Sequence, residues 1–169
     1  MLFRSPWIST TTTAATRPIE TCQFGASALA LVQRSAVTIL VRGRSIATAG
    51  IYNIFVGSQA ALQWLGTNNT GTRLEVWDGG ANLDGGSTTT FQPYGAVYAQ
   101  DATSRAVCAN GGTLGTDART MQAPTIAYLG RATNVYSGAQ YGDGWYDELV
   151  IWPFRVANAA LQAKAVPYV

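Results

Sequence analysis

The run Gly144-Trp145-Tyr146-Asp147-Glu148-Leu149-Val150-Ile151-Trp152-Pro153-Phe154-Arg155, followed by Val156-Ala157-Asn158-Ala159-Ala160-Leu161-Gln162-Ala163, constrains the fold more than any other stretch. Leu149 and Ile151 fall on one side at the period of two that a strand imposes, and Pro153, lacking an amide proton, ends the ladder. Beyond it, Ala157 to Ala165 has the alanine and leucine content of a helix, with Asn158 near its start and Pro167 just past its end. Together they read as the closing strand of a β-sandwich and a short helix that follows it.

The period of two recurs upstream. Val37, Ile39 and Val41 alternate with Thr38, Leu40 and Arg42, which marks a strand with one strongly buried face over Ala36 to Val41. Further strands are expected over Arg17 to Cys22, Ile51 to Val56, Leu62 to Leu65, Arg73 to Trp77, Tyr94 to Gln100, Ser104 to Ala109 and Thr125 to Leu129. Asp78-Gly79-Gly80 and Asn110-Gly111-Gly112 supply the φ-permissive residues that hairpins demand. Gly79 to Thr90 reads as a Gly/Thr loop, and Ser9 to Thr16 as an edge strand or an arm laid on a partner. A 169-residue chain with 12% charged residues, many short strands and one helical stretch predicts an all-β, two-sheet antiparallel sandwich. Residues 17–169 form this domain, behind an N-terminal arm or edge strand at residues 1–16.

Several function classes are disfavoured. The formal charge is +2 and Lys164 is the single lysine, too little for the basic stripe that a phosphate backbone requires, so no nucleic-acid partner is expected. The opening Met1-Leu2-Phe3-Arg4-Ser5-Pro6-Trp7 resembles neither an export signal nor a membrane span. The absence of histidine removes the usual general base and most catalytic zinc sites. Glu75 and Asp78 are spaced to point in different directions, and the adjacent Asp147 and Glu148 fall on opposite faces unless a bulge intervenes. No carboxylate pair, and hence no enzyme, is expected. Asp147 and Glu148 read instead as structural, paired with Arg131 or Arg155. Cys22 and Cys108 could form one disulfide, but the apolar content does not require it. The sequon Asn68-Asn69-Thr70 marks a surface loop.

Several phrases resemble the concanavalin A-like lectin/glucanase superfamily in its laminin-G-like jelly-roll branch. They are Gly144 with Tyr146 to Leu149, Ile151 and Trp152; Val156 through Gln162, with Ala160 where an acid is usual; Ile126 to Arg131; and Arg105 to Gly112. A narrower likeness, to jelly rolls of bacteriophage tail and virion surface proteins, is carried by Thr16 to Cys22 and by Ile151-Trp152-Pro153-Phe154-Arg155-Val156-Ala157-Asn158. The resemblance implies a jelly-roll sandwich with one short C-terminal helix. It also implies a non-catalytic virion protein (decoration, fibre or tail-associated), made in the host cytoplasm, displayed on the particle surface and assembled as a homo-oligomer with other virion proteins. The alternative is a free carbohydrate-binding module or lectin, and a glycoside hydrolase comes third.

Such jelly rolls often hold calcium, and Asp78, Asn82 and Asp84 offer oxygens from one Gly-rich loop, although turn chemistry alone also accounts for them. Aromatic side chains are the stronger lead, because sugars stack their C–H faces on Trp and Tyr. Tyr136, Tyr141, Asp143 and Trp145 lie in a glycine-rich loop suited to a glycan or a protein partner, although packing that anchors the loop accounts for its aromatics equally well. Trp64, Trp77 and Trp152 fall within strands and read as packing.

Overall fold

The computed structural model describes residues 2–3, 22–45, 54–58, 63–67, 72–78, 81–89, 92–119, 123–130 and 144–168. Its strands are β1 (Leu2–Phe3), β2 (Cys22–Gln23), β3 (Val37–Ser45), β4 (Ile54–Ser58), β5 (Gln63–Thr67), β6 (Arg73–Asp78), β7 (Asn82–Ser87), β8 (Pro93–Gln100), β9 (Arg105–Ala109), β10 (Gly115–Asp117), β11 (Ala127–Leu129) and β12 (Gly144–Trp152). Among the described residues, two helices, α1 (Ala26–Val32) and α2 (Asn158–Lys164), complete it. The first sheet runs β1-β12-β3-β8-β9-β10 and the second β2-β11-β4-β5-β6-β7, with antiparallel pairing throughout. This is the expected all-β jelly-roll sandwich.

Alternation builds the space between the sheets. Val37, Ile39 and Val41 of β3, Ala96 and Tyr98 of β8 and Leu149 and Ile151 of β12 meet Val56, Leu65, Leu74, Val76 and Leu83 of the second sheet. Burying one such aliphatic side chain contributes about 1.5–3 kcal/mol. The other face of the first sheet is buried too. Leu40, Val97, Ala99, Ala106 and Cys108 pack under Val156, Leu161 and Ala165, so α2 lies over this sheet as a second layer. β3 is therefore apolar on both faces rather than one, and its outward Thr38 is fully buried. The Thr38 hydroxyl donates to the Phe154 carbonyl (2.9 Å) and accepts the Val156 amide (2.9 Å), fixing the crossing from β12 to α2.

Arg42 fastens the far end of α2. Its Nη2 donates to the Lys164 carbonyl (2.7 Å) and its Nε to the Val166 carbonyl (2.8 Å), satisfying acceptors that a helix end leaves open. The same guanidinium pairs with Glu148, whose Oε2 also accepts the Tyr168 hydroxyl (2.8 Å), and it lies 4.7 Å from the Tyr168 ring centroid. Gly95 admits this layer, since a Cβ there would stand 2.3 Å from the Ala165 carbonyl oxygen.

Three sequence expectations need correction, and one open alternative closes. A second helix, α1, is present. Its alanine- and leucine-rich sequence favours the helix, while Ala28 and Val32, four apart, enter the central core. Asn82–Ser87 is a strand, not a loop, because Leu83 and Gly85 turn inward; a Cβ on Gly85 would meet Val107 at 2.9 Å. Of the two states left open for the cysteines, the structure has Cys108 as a free thiol beneath α2. Glu148 is structural as expected, but its partner is Arg42; Arg155 reaches Asp101 (3.3 Å) and Asn158 (2.7 Å). A shift in register between Tyr146 and Glu148 is the bulge that separates Asp147 from its neighbour. Arg131 lies outside the described residues.

Candidate functional site: the outward face of the second sheet

No described helix packs on the outward side of the second sheet: α1 enters the space between the sheets, and α2 lies against β8 and β9. On β6, Leu74 and Val76 are fully buried, which turns Arg73, Glu75 and Trp77 to the outward side. On β7, Leu83 and Gly85 point inward, leaving Asn82 and Asp84 exposed. On β11, Ala127 and Leu129 are buried and Tyr128 between them is half-buried.

Register aligns these positions. Tyr128 pairs with Gly57, Gly57 with Trp64, Trp64 with Trp77 and Trp77 with Asn82, so one row crosses β11, β4, β5, β6 and β7. With strands about 4.8 Å apart, it spans roughly 19 Å. Trp64 holds the position before the inward Leu65, and Trp77 is half-buried, which leaves part of its side chain to solvent. In the next row Gly66 pairs with Glu75 and Glu75 with Asp84. Two carboxylates thus stand opposite one another beside Trp77.

Electrostatics on the face follow from this pairing. Arg73 Nη1 lies 2.6 Å from Asp84 Oδ2, and Asp84 Oδ1 accepts the Gly86 amide at 2.9 Å. Both side chains of the ion pair are well exposed, 61% and 43%, so the pair orients Asp84 more than it stabilises the fold. Partial burial raises the Glu75 carboxyl above its ordinary value, the Asp84 charge raises it further, and Arg73 opposes both. The arrangement offers an aromatic surface flanked by hydrogen-bond acceptors and one engaged guanidinium.

Of the loop residues expected to bind ligand, Tyr136, Tyr141 and Asp143 lie outside the described residues. Trp145 is half-buried on β12, opposite Arg44, with Tyr146 beside it turned to the core. Its strand belongs to the first sheet, not to the row above. Among the possible calcium ligands, Asn82 and Asp84 sit on a strand and Asp84 is engaged by Arg73 and Gly86. Asp78 ends β6, opposite Gln63. Among the described residues no group of three or more His, Cys, Asp and Glu is placed to hold a metal.

Sequence spacing missed Glu75 with Asp84, because the hairpin that joins them lay partly in the stretch read as loop. The absence of any carboxylate pair is therefore corrected. Trp77 carried a usable signal: it is in phase with Arg73 and Glu75, not with Leu74 and Val76.

No family model and no curated protein sequence matches the chain. Solved structures do. The CBM40 domain of the Ruminococcus gnavus IT-sialidase, bound to α2,3-sialyllactose, superposes with a TM-score of 0.70 at 14% identity over 98% of each chain. A leech intramolecular trans-sialidase matches 83% of this chain with 24% of its own, at a TM-score of 0.64 and 15% identity. The SAP-like pentraxin of Limulus polyphemus matches at 0.53 and 14%, over 76% of this chain and 69% of its own. At these identities the shared property is the concanavalin A-like jelly roll.

Proposed function

We propose that this chain is a non-catalytic carbohydrate-binding module that holds a glycan against the outward face of the second sheet. The observation that carries the reading is the row from Tyr128 to Asn82, crossing five strands on the face that no described helix covers. Trp77 supplies a stacking surface, and Glu75, Asn82 and Asp84 lie where they can exchange hydrogen bonds with sugar hydroxyls. The likeness in fold to CBM40 domains supports this reading over a virion role. The phrase Ile151 to Asn158 that suggested a virion protein has a structural use here. Thr38 bonds Phe154 and Val156, and Lys164 Nζ sits 4.7 Å from the Trp152 ring centroid, so the phrase shapes the strand-to-helix crossing.

A glycan array read with wild type, Trp77→Ala and a Tyr141→Ala/Trp145→Ala variant tests the proposal. Binding that Trp77→Ala reduces by roughly tenfold or more, with the loop variant unaffected, places the ligand on the sheet face. Loss only in the loop variant moves the ligand to residues 136–145, and no binding to any glycan refutes the module. Homo-oligomerisation is a separate proposal, checked by sedimentation.

A further inference from the structure

The strands of the second sheet carry Glu75, Asp78 and Asp84 against a single cation, Arg73, although the whole chain is formally +2. That cation is already engaged with Asp84 at 2.6 Å. An anionic sugar laid on Trp77 would bring its carboxylate against Glu75 and Asp84, and like charges at such a contact penalise the wrong partner. An uncharged sugar meets no such penalty. Its hydroxyls donate to carboxylates, and hydrogen bonds to charged acceptors are stronger than those to neutral ones.

Resting on the binding role argued above, we propose that this face selects uncharged glycans and excludes those ending in sialic or uronic acid, with Glu75 and Asp84 as the selecting residues. The module thus differs in ligand class from its sialyllactose-bound structural neighbour despite the common fold.

The test uses an array of neutral oligosaccharides, each matched to a counterpart capped with sialic acid or a uronic acid. Wild type is expected to prefer the neutral member by roughly tenfold or more, and added salt to narrow that preference, since screening weakens charge exclusion. Glu75→Gln/Asp84→Asn should weaken neutral binding and cut the preference severalfold, and Glu75→Gln alone, which leaves the Arg73 pair intact, should give part of the effect. Melting curves confirm that each variant is folded. Equal or tighter binding of the acidic members, abolished by Trp77→Ala, overturns the selectivity while leaving the binding face in place. A neutral preference that survives the double variant also overturns it, because the two carboxylates would not be the selectors. Binding to no glycan, or binding indifferent to Trp77→Ala, removes the face itself and the inference with it.

Discussion

The two outward faces of this sandwich are built by the same alternation and end in opposite states. On the first sheet, the outward positions of β3, β8 and β9 include Thr38, Leu40, Val97, Ala99, Ala106 and Cys108, which a helix covers, with Arg42 tied to the end of that helix. On the second, the outward positions of β6 and β7 are Arg73, Glu75, Trp77, Asn82 and Asp84, and no described helix does. A sheet face therefore announces its fate by its outward residues: apolar ones require a cover, while charged ones around an aromatic remain available for recognition.

That contrast predicts a gradient of mutational effects. The largest belongs to the covered side. Arg42→Ala leaves Glu148, 7% exposed, without its guanidinium and frees two carbonyls at the end of α2, and should cost about 3–5 kcal/mol in denaturant unfolding. Leu161→Ala opens a cavity under the same helix and should cost about 2–4 kcal/mol; a cost near zero would mean that α2 does not seal the sheet.

Next comes a pH effect. The Arg105 side chain is fully buried and holds Asp117 through two bonds of 2.8 Å, and chiefly through that bonding the Asp117 carboxyl titrates below its ordinary value. A carboxyl depressed in the folded state adds stability above its unfolded pKa, roughly 4, and that stability disappears as pH falls through the lower folded value. Acid titration of Asp117→Asn should show a shallower loss across this window. Glu75 has the opposite sign: its raised folded pKa adds stability at low pH that is lost as pH rises through the folded value. Glu75→Gln should therefore gain stability over wild type at neutral pH relative to pH 4.

The smallest effect belongs to the open face. Arg73→Ala breaks an exposed ion pair and should move stability by less than about 1 kcal/mol. If it cost as much as Arg42→Ala, the two faces would not differ in the way described.

Much of the fold was legible because it depends on local period. Val37 to Val41 and Leu149 to Ile151 show that period, and the turn at Asn110-Gly111, with φ of 53° and 70°, needs the residue types found there. α1 was harder to see: Pro167 marks the end of α2, whereas Gln33-Arg34-Ser35-Ala36 after α1 carries no proline or glycine stop. β7 was hidden because Gly85 and Gly86 look like loop residues until Val107 is seen to fill the space beside Gly85. The site was less legible than the fold. Glu75 and Asp84 meet through a register that no local spacing encodes, and Arg42 lies more than a hundred residues from the helix end that it fastens.

The positions of Leu2–Phe3, paired along β12, and of Tyr168, held by Glu148, have a practical outcome. Both lie with the first sheet, β1 at its edge, so a biosensor chip or bead coupled through either region holds the molecule by that sheet and not by the second. Immobilised in that way, the molecule keeps its aromatic row open to the flowing analyte.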